Sequence, residues 1–455
     1  MFQRLASCDA MLSAMPAKTQ AETFRFMFGV GEVMYYISAN VVKIFVCTKE
    51  NVLFCVLMST IYPFSRPLYA LAKPVGARCN MRCTYCYYLE KDEADMSDEL
   101  LEIFVRNYIE SQTSAEVCFT WHGGEPMLRG LDFYRRAVKL QQRYSAQCEV
   151  SNVLQTNGLL LTPEWCRFLH DEGWLVGLSI DGPADMHDAN RLDCGGHGTW
   201  ERVMRAARLL DQYGVEWNAM AAVSAANVGE PERFYHFFRH ELGCRYLQLS
   251  PVVERHVERD GVRRLAAPDE VEAVLASYSV TAAQWGRFLC GVFDEWVRQD
   301  VGEYFVETFD ATLACWMGVS PGICVYGRQC GHAAAVQPDG SVYGCDHYVF
   351  PAYRLGNVRS QSLWSMMQSE RQLRFGRSKS EGLPQQCGQC EWLFACHGEC
   401  PRLRFCTSAQ GEPRLSYLCE GYRQYFRHVA PAMDFMKKEL LAGRPASNVM
   451  RALCR

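Results

Sequence analysis

Cys79-Asn80-Met81-Arg82-Cys83-Thr84-Tyr85-Cys86-Tyr87-Tyr88 decides how this chain is read. Its three cysteines stand at C-x3-C-x2-C spacing, just after an extended-looking run over residues 68–75 that breaks at Gly76. Thiolates are the usual ligands of iron–sulfur clusters, and a closed cubane needs four of them. Three thiolates leave one iron without a protein ligand, free to hold a small molecule. A zinc site of similar spacing would want a fourth Cys or His close by. The segment up to Trp121 offers neither a His nor a suitably placed Cys.

The surrounding composition sets limits. The chain has 455 residues, 49% hydrophobic and 22% charged, enough for two sizeable cores and two or three domains. A formal net charge of −4 and a pI near 6.3 carry no polyanion-binding signature, so no nucleic acid is expected as a partner. Disulfides are one account of the 23 cysteines. The chain is long, however, opens with no clean signal peptide, and groups its cysteines in short C-x2-C spacings. Reduced thiolates binding metal in the cytoplasm fit better.

Residues 41–58 are apolar but interrupted by Lys43, Lys49 and Glu50. They are too short and too charged for a spanning helix, so no membrane association is expected. They also lie too far from the start, without a small-residue cleavage site, for a secretory signal. Residues 1–67 therefore read as an N-terminal extension outside the fold. Residues 1–57 would be loosely attached, or an addition upstream of a start at Met58.

From Leu68 the chain alternates. Strand-like runs fall near residues 69–75, 117–121, 150–155, 175–180, 217–223 and 246–250. Helical patterns lie between them. Ser97 caps one that turns Leu100, Leu101, Phe104, Val105, Tyr108 and Ile109 to one face. Pro163 opens a second, residues 200–213 form a third ending at Gly214, and a fourth runs from Pro231 to Gly243. Six β–α units in series imply a parallel sheet with helices outside, in the shape of an open, partial (β/α)6 barrel. Site residues should then gather where strands end and loops begin.

Three motifs fall on that rim: His122-Gly123-Gly124-Glu125-Pro126, Gln155-Thr156-Asn157-Gly158 and Ser179-Ile180-Asp181-Gly182-Pro183. Paired glycines let backbone approach a ligand closely, and a carboxylate beside them could hold an ammonium. Any one of these is common turn chemistry; three together on the cysteine rim mark a site. His187 and Arg191, after the fourth strand, read equally well as structural caps or as ligand contacts.

The second half carries another set of cysteines. Cys324, Cys330 and Cys345 come first, then Cys387-x2-Cys390-x5-Cys396-x3-Cys400, and Cys419 after a gap. Gln337-Pro338-Asp339-Gly340, flanked by Val336 and Val342, reads as a hairpin turn whose second strand delivers Cys345. Eight thiolates make two complete four-cysteine clusters. Fully ligated cubanes cannot bind substrate, so electron transfer or structure is their natural role; zinc is the alternative for C-x2-C.

The first loop, C-x3-C-x-Tyr-C, resembles the signature of the radical S-adenosylmethionine (SAM) enzymes. The later cysteines resemble the SPASM subgroup, whose pattern is C-x9–15-G-x4-C, C-x2-C-x5-C-x3-C and a final C. Fifteen residues separate Cys324 from Gly340. Residues 68–430 are similar throughout to the anaerobic sulfatase-maturating enzymes, through C-N-M-R-C-T-Y-C-Y-Y-L-E-K, W-H-G-G-E-P, Q-T-N-G, S-I-D-G-P and G-S-V-Y-G-C-D. The resemblance implies a barrel over residues 68–303, an auxiliary-cluster domain over 304–430 and a helical tail over 431–455. It implies three [4Fe-4S] clusters: a SAM-binding one on Cys79, Cys83 and Cys86, one on Cys324, Cys330, Cys345 and Cys400, and one on Cys387, Cys390, Cys396 and Cys419. Cys406 is a rival for the last position.

The activity implied is oxidation of a peptidyl cysteine or serine of a sulfatase, in a Cys/Ser-x-Pro-x-Arg type motif, to formylglycine. Gly123, Gly124 and Glu125 would hold the methionyl amine of SAM, Tyr85 would border the adenine, and Ser179 would touch the ribose or carboxylate region. Asp346 would be the general base. Flavodoxin or ferredoxin would supply electrons. The alternative expectation is a SPASM enzyme that modifies or crosslinks another ribosomally made peptide. A purely electron-transfer or zinc-binding scaffold would leave the three-cysteine loop and its rim motifs unexplained.

Overall fold

A computed structural model of the chain describes residues 68–89, 94–146, 148–259 and 261–453, with the backbone of four strands between residues 23 and 59. Glu90 and Lys91, at the end of the first cysteine motif, lie outside the described residues, as does most of the remainder of residues 1–67. The four strands are β1 (Thr23–Phe28), β2 (Gly31–Ser38), β3 (Val41–Thr48) and β4 (Leu53–Ser59), and they form an antiparallel meander. The apolar run at residues 41–58 thus becomes two paired strands, with Val42 opposite Met58. Among the described residues no helix is long and apolar enough to cross a membrane.

Six parallel strands follow: β5 (Tyr69–Ala72), β6 (Glu116–Trp121), β7 (Glu149–Thr156), β8 (Leu175–Ser179), β9 (Trp217–Val223) and β10 (Tyr246–Pro251). Each pairs with the next in sequence order, as β–α–β crossovers require. The helices start where the sequence places caps. Ser97 Oγ accepts from Leu100 N at Asp98–Glu110, and Thr162 caps Pro163–Asp171. Pro231–His236 continues through a π-turn to Leu242 and stops at Gly243, which is left-handed at φ 68°. Helices also form where the sequence reading places none, among them Leu131–Tyr144, which follows Gly130 with no side-chain cap, and Ala282–Gln299.

The sheet does not stop at the barrel. A small sheet of β11 (Arg255–Arg259), β12 (Val262–Leu265) and β13 (Val274–Leu275) interrupts the chain, and β14 (Phe305–Val306) then pairs parallel with β10. The cysteine-delivering hairpin is β15 (Ala333–Val336) and β16 (Ser341–Tyr343), followed by β17 (Arg354–Asn357). Strand β15 lies parallel to β5, with Ala333 opposite Tyr69 and Val336 opposite Ala72. One ten-stranded sheet, β14-β10-β9-β8-β7-β6-β5-β15-β16-β17, therefore runs through both cysteine regions. Main-chain pairing at β5 brings residues 345–346 beside the strand that leads into Cys79.

The barrel is packed by aromatics. Phe104, Tyr108, Phe119, Trp121, Tyr134 and Trp174 are buried, with Trp121 packed edge-on to Tyr134 at 5.5 Å and stacked on Trp174 at 6.3 Å. Trp121 Nε1 donates to Asn152 Oδ1 (2.9 Å), so its polar atom is satisfied inside the core. Truncating such a residue costs about 3–5 kcal/mol. That rigidity holds the strand ends in place.

Candidate active site

The three-cysteine loop is clamped from both sides by main chain. Gly124 N donates to Gly76 O (2.8 Å) and Glu125 N to Arg78 O (2.9 Å), while Arg82 N and Thr84 N donate to Leu192 O and Asn190 O (2.8 and 3.0 Å). The glycine pair is required by the chain's own backbone: a Cβ on Gly124 would stand 2.1 Å from Arg78 O, and Gly123 sits at φ +136°. Expected as an approach to ligand, this loop is first an approach to the cysteine loop. Asn157 Nδ2, from the Q-T-N-G motif, donates to Asn80 Oδ1 (2.8 Å). Burial pushes the Cys79 thiol up to about 12 and that of Cys83 to about 11, so a metal centre there must displace their protons as it binds.

The rim carboxylates brace this arrangement. Glu125 is fully buried; Oε1 accepts from Met127 N (3.0 Å) and Thr156 Oγ1 (2.9 Å), and Oε2 from Asn157 N (2.8 Å). Burial raises its pKa to about 7 despite those three donors. Asp181, equally buried, takes the Tyr85 hydroxyl, pairs with Arg191 Nε (2.9 Å) and accepts from Ala222 N (2.9 Å). The Arg191 guanidinium also lies 5.7 Å from the Tyr85 ring centroid. Arg191 thus anchors the cysteine loop through Asp181 and Tyr85. His187 is structural: its Nδ1 accepts from Asp181 N (3.3 Å) and its Nε2 bonds Thr199 Oγ1 (2.9 Å). Ser179 Oγ accepts from Gln155 Nε2 (2.9 Å) at the end of β8.

Where the two cysteine regions meet, the residue after β5 is Lys73, which is completely buried. Its ammonium pairs with Asp346 Oδ1 (2.5 Å), bonds His122 Nδ1 (3.1 Å) and lies 4.4 Å from the Tyr88 ring centroid. Asp346 also takes the Tyr87 hydroxyl. Burial alone would raise the Asp346 pKa; the Lys73 ammonium outweighs it and holds the carboxyl well below the usual range. Asp346 is therefore a carboxylate at neutral pH. Burial, reinforced by Lys73, lowers His122 to about 3, and burial with Arg402 lowers His347 to about 4, so both rings are neutral. Arg402 bonds His347 Nδ1 (3.2 Å), pairs with Glu254 and faces the Tyr87 ring at 5.7 Å. Lys73 carries a legible signal, a lone lysine closing an apolar strand. Arg402 and Glu254 carry none, since only the fold brings residues so distant in the chain together.

The later cysteines fall into two neighbourhoods. Burial raises the thiols of Cys345, Cys400, Cys396 and Cys419; beyond burial, Cys345 feels Cys324 and Cys330, and Cys400 feels Cys345 and Cys330. Cys396 feels Cys419 and Cys387, and Cys419 feels Cys387 and Cys390. Cys406 is in neither group. It lies in a bridge with Leu415 (Cys406 N to Leu415 O, 3.1 Å), with Arg255 as its charged neighbour. Among the described residues no three His, Cys, Asp or Glu side chains converge on a single-ion site.

Known proteins are similar to this chain in sequence and in fold. Residues 74–238 match the radical SAM superfamily, and residues 324–391 match the iron-sulfur cluster-binding domain called SPASM. The chain is 52% identical over 403 residues to a serine-type anaerobic sulfatase-maturating enzyme of Bacteroides thetaiotaomicron, covering 87% of this chain and 97% of that one. It is 30% identical to a cysteine-type anaerobic sulfatase-maturating enzyme of Clostridium perfringens, covering 81% and 97% respectively. A solved structure of native anSMEcpe with bound AdoMet and Cp18Cys peptide superposes with a TM-score of 0.73 at 30% identity, covering 82% of this chain and 99% of that one. This chain is a radical SAM enzyme and belongs to the anaerobic sulfatase-maturating enzymes.

Proposed function

We propose that the chain oxidises a peptidyl serine or cysteine in a Ser/Cys-x-Pro-x-Arg segment of a sulfatase to formylglycine, using SAM and three [4Fe-4S] clusters. The high identity to a serine-type relative favours serine. Cys79, Cys83 and Cys86 hold the SAM-binding cluster, Cys324, Cys330, Cys345 and Cys400 one auxiliary cluster, and Cys387, Cys390, Cys396 and Cys419 the other. Gly123, Gly124 and Glu125 hold the methionyl amine, Tyr85 borders the adenine, and Ser179 touches the ribose or carboxylate region. When bound, SAM would supply hydrogen-atom abstraction at the substrate β-carbon, and an auxiliary cluster would accept the one electron that must still leave after the proton, with water then replacing the sulfur as sulfide when the substrate is cysteine. The chain's own task is then the proton. Asp346 accepts the hydroxyl or thiol proton, and Lys73 and Tyr87 keep its carboxylate ionised and oriented. A flavodoxin- or ferredoxin-type donor in the reducing cytoplasm suits clusters held by reduced thiolates.

The observation that supports this most is the buried Lys73–Asp346 pair, which places an ionised carboxylate between Tyr87, next to the cysteine loop, and Cys345. Anaerobic incubation with SAM, reductant and a Ser-x-Pro-x-Arg peptide or its cysteine counterpart, read by mass spectrometry, tests it. Formylglycine should form from both, with serine accepted. Peptides that stay unchanged while 5′-deoxyadenosine accumulates would overturn the assignment.

A further inference from the structure

The helix Glu370–Glu381 contains no cysteine, yet it organises three of the four loops assigned above to the first auxiliary cluster. It turns a buried polar face inward, formed by Gln372, Gly376 and Lys379. Gln372 Nε2 donates to Gly331 O (3.1 Å) and Gly344 O (3.0 Å), the carbonyls next to Cys330 and Cys345. Gly376 O accepts from Cys330 N (3.2 Å), and a Cβ at Gly376 would stand 2.7 Å from Cys330 O. Lys379 Nζ donates to Cys324 O (2.6 Å) and Val325 O (2.8 Å).

A second cation completes the set. Arg404 Nη1 donates to Lys379 O (2.6 Å), and its other nitrogens reach His397 O, Gly398 O and Glu399 O at 2.9, 2.7 and 3.0 Å. Those three residues link Cys396 to Cys400, and all are left-handed, at φ 45°, 72° and 61°. Two of them are not glycine, so the conformation must be held by something outside the loop. Arg404 holds it by its carbonyls.

Lys379 and Arg404 are both buried, and among the described residues neither forms an ion pair; their hydrogen bonds go to main-chain carbonyls. The neighbouring acid, Glu399, acts on both charges from a distance, yet its carboxyl bonds Ser416 Oγ (3.2 Å) and neither cation. Buried cations that no carboxylate contacts are costly. Four thiolates around a cubane carry net negative charge, and gaining an electron makes the assembly more negative still.

We propose that Lys379, backed by Arg404, is the counter-charge built for the auxiliary cluster on Cys324, Cys330, Cys345 and Cys400, and that it raises the reduction potential of that cluster. The inference rests on the ligand assignment above. It makes this cluster an easier electron acceptor, beside the Asp346 that receives the substrate's proton, and Lys379 a positioning residue that never touches substrate.

The test uses the full chain carrying Cys79→Ala, Cys83→Ala and Cys86→Ala, reconstituted anaerobically, so that only auxiliary clusters remain. Iron content and a reductive titration followed by electron paramagnetic resonance are the readouts. Lys379→Gln should keep about eight irons and shift the reduction equilibrium of one cluster at least tenfold toward the oxidised form, about 59 mV for one electron. Lys379→Arg should restore the parent value. If Lys379→Gln sheds iron, Arg404→Gln should keep it and shift the same cluster in the same direction. An unchanged potential with iron retained would overturn the proposal, as would iron loss in both neutralised chains, which would make the cations braces alone. A parent holding about four irons or fewer would overturn the ligand assignment and the inference with it.

Discussion

The two cysteine regions reach similar chemistry by opposite constructions. At the barrel rim, three thiols lie within residues 79–86, and neighbouring strand ends clamp the short loop by backbone bonds. In the C-terminal region the cysteines are spread over residues 324–419, and the segments carrying Cys324, Cys330, Cys345, Cys396 and Cys400 are held by a helix and two buried cations. Local spacing dominates the first region, long-range polar contacts the second. The first should lose its cluster when backbone is pushed apart; the second should keep its iron but change in reduction potential when its buried cations are neutralised.

The largest effect separates the regions outright. Cys79, Cys83 and Cys86 changed together to Ala should cost about a third of roughly twelve irons per chain and abolish SAM cleavage, while the auxiliary clusters survive. Iron near four per chain in the parent, or zinc in place of iron, would break the division into three clusters.

The next effect uses pH, through a rim carboxyl whose counterpart in the C-terminal region, Glu399, burial raises to about 7 as well. Burial holds the folded pKa of Glu125 at about 7, above the 4.5 of an exposed glutamate in an unfolded chain. A raised carboxyl contributes stability that is full below pH 4.5 and is lost as pH rises through 7. Metal-free chain should therefore lose on the order of 3 kcal/mol across that window through this group. Glu125→Gln should flatten that part of the profile of Tm against pH. Parallel profiles for the two proteins would show that the group is not shifted.

Glycines sharpen the contrast further. Gly124→Ala places a methyl 2.1 Å from Arg78 O, and overpacking of that kind costs about 1–3 kcal/mol. It should selectively release the SAM-binding cluster. Gly388, beside Cys387, has nothing within 4 Å of an added Cβ, so Gly388→Ala should stay within about 0.5 kcal/mol of the parent and keep its iron. Equal losses in denaturation and iron assays would erase the distinction drawn between the regions.

The smallest effect falls where the regions meet. Asp346→Asn should retain all clusters and still make 5′-deoxyadenosine, but form formylglycine at least about tenfold more slowly, the low end of what a proton acceptor contributes. Serine peptide should suffer more than cysteine peptide, because its proton is harder to remove. A normal formylglycine yield per 5′-deoxyadenosine would leave Asp346 as a partner of Lys73 and nothing more.

Much of the molecule is legible along the chain itself. Cluster spacing, Ser97 and Pro163 as helix starts, Gly243 as a stop, and six alternating strands are short-range signals, carried by residues a few positions apart. The rim motifs are visible too, but their meaning is not. Gly124 reads as room for a ligand, and in space it is also room for the backbone of Arg78. The Asp346 carboxylate can be named from its motif, but not the charge state that Lys73 imposes.

Sequence alone, then, determined the spacing of the cysteines, the six barrel strands with four of the helices between them, and the class of chemistry. These depend on local spacing, which bond lengths and secondary-structure periods fix along the chain. Tertiary structure decided that the hairpin at residues 333–343 extends the barrel sheet beside β5. It also decided that Lys73 meets Asp346, and that Lys379 and Arg404 are buried without a carboxylate partner among the described residues. Those pairings join residues far apart in the chain. A buried charge has no energetic meaning until its surroundings exist, so they could be known only once the sheet had brought the two halves together.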